Sequence, residues 1–182
     1  MKHYINLISL TIILALCLQG VAFAQKSFNQ FNLFVKGKDL NYMVEDLNQD
    51  GFNDLLMFHA ETSGTEVDRY FSIFYQTANG FDSIANQRIK IDSNAVIFDC
   101  AEIGHQNGKV ILIFKHDGVF YYEPKEGSYD SAPRLLIQTD SMFQLADRSF
   151  LEHMDFTRDF NQDGLDEIIV PVIHLILTLI FR

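Results

Sequence analysis

The chain has 182 residues with 24 acidic and 14 basic side chains, and its formal charge of −10 disfavours nucleic-acid binding. Of its two cysteines only Cys100 lies beyond the N-terminal segment described next, so an internal disulfide is excluded as the stabilising device.

Lys2 and His3 precede an apolar run over residues 5–18, and Ala22-Phe23-Ala24 supplies the small residues of a cleavage site. This predicts a signal peptide over residues 1–24, a mature chain from Gln25, and a secreted protein, extracellular or periplasmic. The run is shorter than the roughly 20 residues that span a bilayer. Leu16 stands before Cys17 where a lipidation signal would carry a small residue, so no lipid anchor is expected. Residues 25–182 suit one compact domain.

The next feature is an acidic nonapeptide, D-L-N-Q-D-G-F-N-D from Asp46 to Asp54, which runs directly into an apolar stretch at 54–58. Strand-length apolar or aromatic stretches follow at 70–75 and 88–91, separated by an Asn79-Gly80 turn. The pattern then recurs. Residues 103–111 keep an Asn-Gly turn but lack the acids, with Ile103 and His105 at the first two acidic-loop positions. Apolar stretches follow at 110–114, 119–122 and 134–137, with a turn at Glu126-Gly127. A second full acidic loop, D-F-N-Q-D-G-L-D-E from Asp159 to Glu167, leads into 167–170. The residues before the turn glycines, Asp50, Asn107 and Asp163, follow at intervals of 57 and 56 residues (107 − 50 and 163 − 107). The tail over 172–181 loses apolar alternation, and with Pro171 before it is too short for a transmembrane span.

No stretch shows a capped 3.6-residue apolar period, so the expected fold is all-β. Units of about four antiparallel strands repeating at this interval imply β-propeller-like blades, two full units and the start of a third. Such an incomplete propeller leaves its end sheets uncovered and should associate.

Alternating Asp, Asn and Asp on a tight loop aim three side-chain oxygens at one centre, the donor chemistry of a hard cation such as calcium. Gly51 and Gly164 allow the sharp turn after the third donor, the carbonyls of Phe52 and Leu165 follow, and a carboxylate closes at position nine. An EF-hand would close at position twelve, where Met57 and Val170 stand. Asp, Asn and Gly also form ordinary β-turns, but two copies with the same donors, each entering a strand, argue against that alone.

D-x-N-x-D-G-x-x-D/E entering an apolar strand resembles the FG-GAP or VCBS-type repeats of integrin-like β-propellers and secreted bacterial proteins. The resemblance implies Ca2+ held by Asp46, Asn48, Asp50, Phe52 and Asp54 in one loop. It implies a second ion on Asp159, Asn161, Asp163, Leu165 and Glu167, and none at the middle copy. Asn79-Gly80-Phe81 matches a Gly-aromatic turn often found in such repeats.

His59, His105, His116, His153 and His174 show no paired metal spacing, and Cys100 in an apolar stretch reads as a small core residue. No catalytic residue or organic cofactor is expected. The function class favoured is a non-enzymatic extracellular binding or scaffold module for a protein or glycan. The alternative is an accessory part of a secreted carbohydrate-active or other hydrolytic enzyme.

Overall fold

The computed structural model describes residues 29–104, 107–139 and 150–171. The expected signal peptide, His105 and the apolar tail at 172–181 lie outside the described residues. The chain divides into Met1–Gln30 and Phe31–Arg182, and every element below belongs to the second unit. Among the described residues there is no helix, and the fold is all-β.

The first sheet is built from β1 (Lys38–Glu45), β2 (Asp54–Ser63) and β3 (Glu66–Phe74). A small hairpin of β4 (Gln76–Thr77) and β5 (Gly80–Phe81) leads to β6 (Gln87–Ile91). The sheet order is β1-β2-β3-β6, antiparallel throughout. The second sheet repeats this with β7 (Ile97–Ala101), β8 (Val110–Lys115) and β9 (Gly118–Tyr122). The hairpin of β10 (Pro124–Lys125) and β11 (Ser128–Tyr129) and then β12 (Arg134–Gln138) complete it. A short β13 (Glu152–His153) adds to it parallel to β7, giving the order β12-β9-β8-β7-β13. β14 (Thr157–Arg158) and β15 (Glu167–Ile168) pair antiparallel and open a third unit.

These elements follow from the residues. Leu56, Phe58 and Ala60 on β2 and Phe71 and Ile73 on β3 occupy alternate positions and bury one face, while their neighbours turn to the other. β8 instead reads V-I-L-I-F without alternation, and all five of these side chains are buried because both faces of the second sheet are covered. One face carries Phe98, Cys100, Ile111 and Ile113 against the first sheet. The other carries Val110, Leu112 and Phe114 against Phe156, Ile168 and Val170 of the third unit. The layers therefore stack in chain order, with the second sheet in the middle.

The strand register corrects one part of the sequence alignment. Glu45 pairs with Asp54, Ala101 with Val110 and Arg158 with Glu167, so 54, 110 and 167 are the equivalent positions. The middle loop thus begins at Glu102, not Ile103. Glu102 stands at the first position, Gly104 at the third where His105 was expected, and Val110 at the ninth. The Asn-Gly turn falls one residue later in this loop, and strand pairing rather than the turn sets the register.

Candidate functional site

Each acidic loop joins two paired antiparallel strands, β1 to β2 in one and β14 to β15 in the other. In the first, the Asp46 carboxylate accepts N–H bonds from Asp50 (3.1 Å) and Gly51 (2.9 Å), and Asn48 Oδ1 accepts from Asp50 N–H at 3.1 Å. Asp50 Oδ1 accepts from Phe52 N–H at 2.9 Å. The second loop repeats the set: Asp159 accepts from Asp163 (3.1 Å) and Gly164 (2.9 Å), Asn161 from Asp163 (2.8 Å), and Asp163 from Leu165 (2.9 Å). The backbone matches as well. Gln49 and Gly51 have φ of 60° and 88°, and Gln162 and Gly164 have 63° and 91°. Glycine at the sixth position removes the Cβ penalty of that left-handed turn.

The ninth residue plays the same mechanical part in both loops. Asp54 Oδ2 accepts from Leu47 N–H at 3.0 Å, and Glu167 Oε2 accepts from Phe160 N–H at 2.7 Å. The two then diverge. Asp54 is fully buried and its Oδ1 takes Gln76 N–H at 2.8 Å, tying the loop to the end of β3. Glu167 is half-buried and its Oε1 takes the Asn161 amide at 2.7 Å. Burial lifts the Asp54 carboxyl above its ordinary value, opposed by the Gln76 and Leu47 N–H groups and assisted by the charges of Asp50 and Asp46.

The residues that could hold a hard cation are thus Asp46, Asn48, Asp50, the Phe52 carbonyl and Asp54, and Asp159, Asn161, Asp163, the Leu165 carbonyl and Glu167. Hydrogen bonds join the first three donors of each loop. Among the described residues no three His, Cys, Asp or Glu side chains converge as a metal-holding group. The middle loop has a different shape, with positive φ at Gly104 (85°) and Gly108 (125°).

That middle loop joins the other two, which sequence reasoning missed. Lys109 N–H donates to the Leu47 carbonyl at 2.9 Å, Lys109 Nζ to Glu45 at 2.7 Å, and the Gln49 amide to Glu102. A Cβ at Gly108 would collide with the Leu47 carbonyl oxygen, so this approach requires glycine. On the other side, Asp166 N–H donates to the Glu102 carbonyl at 2.6 Å and Glu102 N–H to the Asp166 carboxylate at 2.7 Å. Burial works against the Lys109 charge, but the Glu45 carboxylate outweighs it and holds the ammonium above its usual value.

A second buried acid was also missed. Asp99, inside the apolar strand β7, accepts N–H bonds from Cys100 and from Phe156 of the third unit, each at 2.8 Å. Burial raises its carboxyl above the ordinary value despite those donors. Cys100 lies buried between the sheets, where burial pushes its thiol well up, as suits an inert core residue. His59 is buried with its Nε2 2.9 Å from Ser72 Oγ, and His153 lies 3.6 Å from Asp99. The Asn79-Gly80 turn closes the β4–β5 hairpin.

No protein-family model matches the chain, and no curated protein matches it. The resemblance to propeller repeats rests on the loop residues themselves.

Proposed function

We propose that this chain is a secreted, calcium-binding module of propeller-like repeats, serving as an extracellular binding or scaffold domain for a protein or glycan rather than as a catalyst. The observation that carries the reading is the recurrence of one loop. Two nonapeptides far apart in sequence share donors, turn conformation and hydrogen bonds, from Asp46 to Asp54 and from Asp159 to Glu167. Their donor chemistry fits a hard cation: carboxylates, an amide oxygen and a backbone carbonyl, with no sulfur or imidazole. In each loop the first Asp spends one lone pair per oxygen on a backbone N–H, which leaves the others for a metal. Bound calcium would neutralise the repulsion among the clustered carboxylates.

Calorimetric titration of the chelator-treated protein tests the proposal. Two equivalents of Ca2+ are expected, with one lost in Asp50→Ala and one in Asp163→Ala. Extracellular sites of this chemistry bind with dissociation constants on the order of 0.1–1 mM. Millimolar calcium should then raise unfolding stability by roughly 1 kcal/mol per site. No heat of binding and an unchanged melting temperature would refute it.

A further inference from the structure

The three loops meet by a repeated contact. The residue just before the ninth position donates its backbone N–H to the start of the preceding loop, Lys109 to the Leu47 carbonyl at 2.9 Å and Asp166 to the Glu102 carbonyl at 2.6 Å. Each of these side chains adds a second bond to the same preceding segment. Lys109 Nζ donates to Glu45 at 2.7 Å, and the Asp166 carboxylate accepts from Glu102 N–H at 2.7 Å. Both contacts end beside proposed cation donors. Leu47 N–H donates to Asp54, the closing carboxylate of the first loop, at 3.0 Å, and Asp166 precedes Glu167, that of the second. Glu102 lies between the two: its backbone holds Asp166, and its side chain accepts from the amide of Gln49, which stands between the donors Asn48 and Asp50.

The first step of this path is tightly packed, since a Cβ at Gly108 would lie 2.1 Å from the Leu47 carbonyl oxygen. Gln49 and Gln162 hold left-handed backbone at φ 60° and 63°, which side-chain-bearing residues keep only where their surroundings fix it. Empty loops work against that order, because their carboxylates repel one another. We infer, on the cation reading proposed above, that the two acidic loops bind cations with positive cooperativity, relayed through the middle loop by Gln49, Glu102 and Asp166. An ion in either loop fixes that loop together with its bonds to the relay. The second ion then enters a loop whose ordering cost is partly met already. Through-space electrostatics has the opposite sign, because an ion in one loop weakens the negative field that draws the second, and salt screens it over about 8 Å. The sign of the coupling therefore separates the two causes.

Calcium titration of the whole chain followed by amide NMR decides it, with the Gly51 resonance reading the first loop and that of Gly164 the second. Asp50→Ala and Asp163→Ala give the affinity of each loop when the other is disabled. Fitted with these, the wild-type curves should return a coupling factor of at least about fivefold, each ion tightening the other. Gln49→Ala and Asp166→Ala leave every proposed donor in place, so both loops should still fill, with the coupling reduced to less than about twofold. Asp166→Asn keeps an oxygen for Glu102 N–H and should retain the coupling. Loss of the Asp166 charge also lowers affinity at the second loop, but such an effect leaves the coupling factor unchanged, which makes that factor the readout. Independent filling of the two loops in wild type would overturn the inference and leave the cation reading standing. So would coupling of unfavourable sign, or favourable coupling that survives both Gln49→Ala and Asp166→Ala. Absence of any calcium-dependent shift at either glycine would overturn both.

Discussion

Asp54 combines two tasks that pull its chemistry in opposite directions. As a buried acceptor it satisfies the Leu47 and Gln76 N–H groups, and as a loop carboxylate it is proposed to close a cation site. The first task is separable in chelator. Asp54→Ala should then cost about 2–4 kcal/mol in urea unfolding, because two buried donors lose their acceptor at roughly 1–3 kcal/mol each. Asp50→Ala, whose side chain is exposed, should cost far less under the same conditions. Equal small losses would mean that the Asp54 tie carries no stability. The acid's raised pKa also sets a pH dependence. The folded chain keeps a proton on Asp54 at pH values where the unfolded chain has released it. Stability from this group is therefore complete below the ordinary carboxylate value and declines as pH rises through the folded one. In chelator, the stability of wild type relative to Asp54→Asn should fall across that window. A rise would show that the two N–H donors outweigh burial.

At the scale of elements, Arg69 shows what strand patterns leave unread. It sits on the core face of β3 beside Phe71, fully buried, and donates to the carbonyls of Ser93 (3.1 Å) and Ala95 (2.6 Å) in the segment joining the two sheets. Burial pushes its guanidinium down to about 10, a value at which it still carries its charge near neutral pH. Only a planar fork reaches both carbonyls, so Arg69→Lys should lose about 2 kcal/mol and Arg69→Ala about 3 kcal/mol or more by urea unfolding. Equal stability of Arg69→Lys and wild type would discount the fork. Nothing in E-V-D-R-Y-F-S-I-F distinguishes this arginine from a solvated one, whereas Phe71 and Ile73 were legible as core from their alternation. The strands after the loops were legible as short apolar runs that begin where the turn residues end. β1 was not, because its apolar row, Leu40, Tyr42 and Val44, faces outward while Asn41 and Met43 take the inner side. β7 was hidden by Asp99, a charge in a five-residue strand that is buried throughout. The acidic loops could be read because their donors are consecutive in sequence. The bridge from Leu47 through Glu102 and Lys109 to Asp166 could not, since its contacts form only when layers stack.

Among the described residues the layers form a short one-dimensional array, in which each unit is held by its neighbour. The third unit meets the second sheet through Phe156, whose ring lies 5.4 Å from that of Phe114, and through the bonds of Asp99 to Phe156 N–H and of Thr157 to the Cys100 carbonyl. Its described ladder pairs Thr157 with Ile168 and Arg158 with Glu167. Sheet 1, by contrast, carries a nine-residue register between β2 and β3 and the larger apolar cluster. Opening should therefore begin at the third unit. Phe156→Ala removes a ring that is half-buried, at a cost of about 2 kcal/mol, below the 3–5 kcal/mol of a full core deletion. That loss should fall on one interface. Hydrogen exchange should quicken at the β14 and β15 amides and at Asp166, while β2 and β3 keep their protection, because local opening draws on the least stable layer. Phe98→Ala, at the interface between the sheets, should lower protection across both of them. If Phe156→Ala instead loosened β2 and β3 as much as β15, the layers would be one cooperative body rather than separately opening units.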